Sequence, residues 1–131
     1  MMDKISDKQF EDFVSEAIDM IPKKYLDRLQ NIAFIVEDEP SEAQRQSLKL
    51  KPHETLFGLY EGAPLPTRQG QLKMLPDKIT IFKKPLLLAS QNLEDLRQRV
   101  GKTLWHEVAH YYGLDHIRIY ELEKKPPKIQ D

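Results

Sequence analysis

Three of the four histidines in this chain lie within one short stretch, "TLWHEVAHYYGLDH", which runs from Thr103 to His116. His106 and His110 are four residues apart, so in a helix they project from the same face and both imidazoles can reach one metal ion. Glu107 lies about 100° further around the helix axis than His106, where it borders the metal without binding it. This is the HExxH arrangement, in which the glutamate accepts a proton from metal-bound water.

Two further residues extend the motif to HExxHxxGxxH. Gly113 can end the helix in a sharp turn, because glycine tolerates positive φ, and the turn brings His116 back towards the metal. Three neutral ligands with one open position are typical of catalytic zinc sites. The alternative is a chance match in which Gly113 is an ordinary end of a helix. We predict one zinc ion per chain, bound by His106, His110 and His116.

The helix that carries the motif has two different faces. Ser90 or Asn92 is predicted to cap its start. The histidines His106 and His110 share one face with Thr103. A separate apolar stripe, expected to face the core, is formed by Leu93, Leu96, Val100, Leu104, Val108 and Tyr111.

The rest of the sequence predicts an α+β domain with a small sheet. "SDKQFEDFVSEAIDMI" predicts an amphipathic helix with a capping box between Ser6 and Gln9, and a short helix follows Pro22. "NIAFIVED" predicts a buried strand, and "TLFGLYEG" a strand in which Gly58 marks a bulge or a close backbone approach. "KITIFKK" predicts a third strand with a more exposed face, a candidate edge where a substrate peptide can add as a strand.

Composition limits the classes of function. The 131 residues suffice for one domain, with the ends, about residues 1–5 and 124–131, expected to be flexible. The 20 Lys and Arg nearly balance the 21 Asp and Glu, so we expect no nucleic-acid partner, and no apolar run is long enough for a membrane span. Without cysteine or a signal peptide, the cytoplasm is the expected compartment. The oligomeric state stays open.

Several segments together resemble a known family. They are "VEDEP", "LFGLYEGAPL", "LPDKITIFKKPL" and "TLWHEVAHYYGLDH", in this order between Ile32 and His116. Metzincins share the extended motif but have a later methionine turn, whereas all four methionines here precede it. The chain more closely resembles the small bacterial zincin-like metallopeptidases. That resemblance implies a minimal zincin fold, zinc on His106 and His110, Glu107 as general base, and His116 or less readily Asp115 as third ligand.

Two functions follow from these residues. The first is a zinc peptidase acting on a peptide or protein substrate. The second is a non-proteolytic zinc module with a structural or partner-binding role, which would have no use for the general base Glu107. A peptidase also needs a donor for the developing oxyanion. Its candidates are Arg68, Tyr112 and Tyr120, besides Arg118 and Tyr111, of which Tyr111 is expected to pack in the core instead.

Overall fold

A computed structural model describes residues 5–26, 32–62 and 77–112. Within these ranges, helices and a three-stranded sheet form an α+β fold, as predicted. The elements in chain order are α1 (Asp7–Asp19), α2 (Lys23–Leu26), β1 (Ile32–Glu37), α3 (Glu42–Ser47), β2 (Gly58–Glu61), β3 (Asp77–Phe82), α4 (Lys83–Ala89) and α5 (Leu93–Tyr111). None of the helices in the described ranges has the length and apolar character that a membrane span requires.

Helix α1 begins at the predicted capping box. The backbone N–H of Gln9 donates to the Ser6 hydroxyl at 3.0 Å, and the Ser6 N–H donates to the Gln9 side-chain oxygen at 3.3 Å. Phe10, Val14 and Ala17 are buried on one face of the helix. This apolar face packs α1 against α5, the helix that carries the histidines.

The sheet has the order β1-β3-β2, with β1 parallel and β2 antiparallel to β3. Strand β3 is therefore central, and its prediction as an exposed edge strand is wrong. Lys78 is its only exposed residue, and Lys83 and Lys84, which suggested an edge, belong to α4. Conversely β1, predicted to be buried, is an outer strand whose residues are mostly half-buried. Among the described strands, β2 is the one packed beside α5 with an edge free of strand pairing.

Helix α4 was not predicted by the sequence pattern. Pro85 lies in its first turn, where a missing N–H costs nothing because that group has no partner within the helix. Ser90 ends α4, and its hydroxyl donates to the Leu86 carbonyl at 2.7 Å. Asn92 is therefore the residue that caps α5, and its side-chain oxygen accepts from the Asp95 N–H at 2.8 Å.

Helix α5 is the central helix of the core. Five of the six residues of the predicted stripe are fully buried, namely Leu96, Val100, Leu104, Val108 and Tyr111. The sixth, Leu93, is 45% exposed, because the first turn of the helix extends beyond the core. Trp105 and Ala109 are buried as well, so the covered face is wider than predicted. In the described part of the chain, α1, α4, β2 and β3 surround α5 and leave its histidine face partly open.

Candidate metal centre

His106, Glu107 and His110 lie together on α5. Their nearest ligand atoms are all within 4.8 Å of one another, and the two imidazole rings are 4.8 Å apart at an angle of 70°. Both histidines are half-buried, whereas Glu107 is buried. Two imidazoles one helical turn apart are a donor set that suits zinc, and they remain accessible from the open face. The three residues thus form a candidate metal centre.

The carboxylate of Glu107 is held by strand β2. It accepts a hydrogen bond from the backbone N–H of Tyr60, and its side chain is shielded from solvent. Burial raises the pKa of Glu107, whereas the charge of His106 and the Tyr60 hydrogen bond oppose that rise. The position and the protonation of this carboxylate therefore depend on the sheet as well as on the helix.

Replacing Glu107 with Gln should stabilise the metal-free protein at neutral pH. A raised pKa in the folded state means that folding favours the protonated carboxyl. The protonated side chain therefore contributes its full stability to the folded protein below the ordinary pKa of 4.5. This contribution is lost as the pH rises through the pKa of the folded state. Melting curves of metal-free protein should show a higher Tm for Glu107→Gln at pH 7, with the difference shrinking towards pH 4. A difference that is independent of pH would contradict this account.

Gly58 allows strand β2 to lie directly against α5. A Cβ at this position would be 2.7 Å from Cγ2 of Thr103 and 3.3 Å from Cγ of Glu107. The close backbone approach predicted from the sequence is therefore confirmed. Tyr60, two residues further along the same strand, donates to Glu107, so the close approach at Gly58 also brings the strand within reach of the carboxylate.

We expect Gly58→Ala to lower the free energy of unfolding by about 1–3 kcal/mol, since the added methyl group overpacks the contact between β2 and α5. Gly101→Ala on α5 is the matched control, because a Cβ there meets no atom within 4 Å. Alanine should instead stabilise the helix at this control position by about 0.5–1 kcal/mol. Urea unfolding of the two variants measures both changes. Equal effects of the two substitutions would show that the approach at Gly58 is not tight.

A cavity of about 360 Å³ opens beside the centre. Its walls are the segment that leads into β2 and one face of α5, and it is lined by Thr55, Leu56, Phe57, Gly58, Lys102, Thr103, His106 and Glu107. Sequence reasoning did not identify residues 55–57, because only tertiary packing brings them to the helix. It also missed Lys102, although this lysine precedes His106 by four residues, the spacing that separates the two histidines.

Of the other site residues predicted from the sequence, the structure describes only Tyr111 and Tyr112. The hydroxyl of Tyr112 donates to the backbone carbonyl of Tyr25 and so fastens the end of α5 to α2. Tyr111 is fully buried, which confirms its expected place in the core. The remaining candidates lie outside the described residues, so their roles stay predictions: Arg68, Gly113, Asp115, His116, Arg118 and Tyr120.

An HExxH helix packed against a small mixed sheet is the arrangement that the resemblance to zincins implied. The model of the zincin-like metallopeptidase family matches residues 29–125, and the chain belongs to this family. A solved structure of a conserved hypothetical protein from Thermo thermophilus is similar in fold, with a TM-score of 0.56 and 18% sequence identity. The match covers 92% of this chain and 99% of that chain. No curated protein matches the sequence.

Proposed function

We propose that this protein is a zinc-dependent peptidase. The observation that carries the proposal is the grouping of His106, Glu107 and His110 on α5, with one ligand atom of each residue within 4.8 Å of the others. Glu107 is buried beside the two histidines, which are half-buried and partly open to solvent. Membership of the zincin-like metallopeptidase family supports it. His106 and Glu107 also line a cavity large enough to take part of a peptide, so a substrate has access to these two side chains.

His106 and His110 would hold one zinc ion through their ring nitrogens, with His116 as third ligand and Asp115 as the alternative. When bound, zinc supplies a Lewis acid that makes water more acidic and polarises the carbonyl group that is attacked. Two or three neutral histidines leave a position open for this chemistry. The fit rests on the donor set, because paired imidazoles are preferred ligands of zinc.

Glu107 would act as the general base. It is fixed by the Tyr60 N–H beside the two histidines, where it can take the proton of the attacking water and pass it to the leaving amine. Burial, by raising the pKa of its carboxyl, brings Glu107 closer to the range in which a group can both accept and return a proton near neutral pH. The oxyanion donor is proposed to be Arg68 or Tyr120, because the hydroxyl of the third candidate, Tyr112, already donates its proton to the Tyr25 carbonyl.

The substrate would lie along strand β2. The backbone carbonyl of Phe57 accepts a hydrogen bond from the Phe82 N–H at 2.9 Å. Because hydrogen-bonded positions alternate along an antiparallel pair, the backbone N–H and C=O groups of residues 57 and 59 point towards β3. Gly58 and Tyr60 therefore point theirs to the free edge, where Tyr60 meets Glu107. An extended peptide added at Gly58 would place its backbone beside His106 and Glu107, which line the same cavity. We propose extended or short peptides as substrates.

The test is cleavage of a peptide library by zinc-loaded protein, with the products identified by mass spectrometry. We expect cleavage that stops when a chelator removes the metal and returns when zinc is restored. Glu107→Gln protein, prepared and loaded in the same way, is the control for a contaminating peptidase. A zinc-loaded protein that cleaves no peptide in the library would contradict the proposed function.

A further inference from the structure

We propose that the cavity beside the metal centre selects peptides by a carboxylate group, which the ammonium group of Lys102 binds. This inference rests on the proposed function, since it names a substrate class for the same site. It starts from a residue that neither the motif nor the family match assigns.

Lys102 lies on the same stripe of α5 as the metal ligands. It precedes His106 by four residues, about one helical turn or roughly 6 Å along the axis, and His110 follows at the same interval. Its side chain is exposed and lines the same cavity as His106 and Glu107. A peptide bound near the histidines therefore passes within reach of this lysine.

The charge of Lys102 is available to a ligand. Within the described part of the chain, the ammonium group of this lysine forms no hydrogen bond and no ion pair. Together with the hydrogen bond from the Gln91 N–H, the charge of Lys102 helps to lower the pKa of Asp95. The Asp95 carboxylate, however, already accepts from the Gln91 N–H at 3.0 Å and from Nε of Arg99 at 3.3 Å. Glu107, the acid of the same cavity, is buried and bound to the Tyr60 N–H.

The remaining lining of the cavity favours a carboxylate over a cation. Leu56 and Phe57 supply apolar surface, and Phe57 is 37% exposed. Apolar walls lower the local dielectric constant and so strengthen an ion pair relative to one on an open surface. The exposed charge in the cavity is the positive charge of Lys102, and a zinc ion is expected next to it. A basic side chain of a bound peptide would therefore be repelled from the cavity. The complementary ligand is an anion, and in peptides that anion is a carboxylate.

The carboxylate can come from an acidic side chain or from the free C-terminus of the peptide. Both have the same charge and the same planar pair of oxygens, so both suit an ammonium group. Peptides that carry only one of these sources separate them.

The experiment measures binding rather than cleavage. Zinc-loaded Glu107→Gln protein is titrated with three sets of labelled peptides of one common sequence. The first set carries only a side-chain carboxylate, with glutamate at each position in turn and an amidated C-terminus. The second carries only a free C-terminus, with glutamine in place of glutamate, and the third is the neutral glutamine peptide with an amidated C-terminus. At low ionic strength we expect at least one carboxylate peptide to bind about 2- to 5-fold more tightly than the neutral one. Added salt should reduce this preference.

Further substitutions test whether Lys102 is responsible. Lys102→Gln should abolish the preference and Lys102→Arg should keep it. Lys8→Gln, which removes an exposed lysine from α1, should leave it unchanged. Thermal melting checks that each variant is folded. No preference, a preference that survives Lys102→Gln, or an equal loss with Lys8→Gln would each overturn the proposal.

These binding data, together with the cleavage of the peptide library by the parent protein, separate this proposal from the proposed function. Cleavage by the parent protein without any carboxylate preference would overturn the role of Lys102 and leave the peptidase intact. A preference that depends on Lys102, in a protein that never cleaves a peptide, would support the carboxylate site and contradict the peptidase.

Discussion

Glu107→Gln is expected to abolish most peptide hydrolysis while the protein keeps its zinc. Glutamine preserves the shape of the side chain and an oxygen that can accept from the Tyr60 N–H, but it cannot take a proton from water. General bases contribute about 10²–10⁴-fold in rate, so kcat should fall by about that factor. Because Glu107 is proposed to border the metal rather than to bind it, elemental analysis should still find about one zinc per chain.

The control for this substitution is Glu94→Gln on the same helix. Glu94 is exposed and pairs with Arg97 three residues later, away from the histidines, so its loss should leave kcat and the zinc content unchanged. If Glu107→Gln cleaves as fast as the parent protein, the assigned general base is wrong. If it loses zinc together with activity, Glu107 is a ligand and the proposed division of roles fails.

Alanine at His106 or His110 should have the second large effect, a loss of zinc affinity of at least about 100-fold. Residues that only support a metal ligand already contribute about 10–100-fold to affinity, so removal of a ligand itself should cost more. The measurement is competition with a chromophoric chelator at neutral pH. His53→Ala is the matched control, because His53 is an exposed histidine in a separate part of the chain, and this variant should bind zinc like the parent.

The same titration tests the third ligand. His116→Ala should weaken zinc binding more than Asp115→Ala does, and the reverse order would make Asp115 the ligand. If His106→Ala and His110→Ala both bind zinc as tightly as His53→Ala, the metal does not bind to the HExxH helix.

Local patterns in the sequence were sufficient to predict features that depend only on residues close together in the chain, such as helix caps and the faces of helices. The Ser6–Gln9 capping box consists of short-range hydrogen bonds, so it can be inferred from spacing alone. The same holds for the shared face of His106 and His110, which follows from the helical repeat. For α5 the spacing left Ser90 and Asn92 as alternatives, and the position of α4 decides for Asn92. The close approach at Gly58 could be predicted because a glycine within an apolar strand commonly marks a bulge or a neighbouring backbone that lies very near.

Features that depend on strand order could not be predicted in the same way. The lysines that follow β3 suggested an edge strand, but they lie at the start of α4, and the strand itself lies between β1 and β2. The hydrogen bond from Tyr60 to Glu107 joins residues 47 positions apart, and no local pattern indicates it. The cavity next to Lys102 likewise exists only because Leu56 and Phe57 pack across from α5.

The central claim is that one zinc ion lies on His106 and His110, with Glu107 beside it and one position open to water. Anomalous X-ray diffraction at the zinc edge, from crystals of the zinc-loaded protein, tests this claim most directly. We expect one strong anomalous peak about 2.0–2.1 Å from a ring nitrogen of each histidine, with the Glu107 carboxylate outside the coordination shell and a water molecule in the remaining position. A peak elsewhere in the chain, or four protein ligands that close the site, would contradict the account.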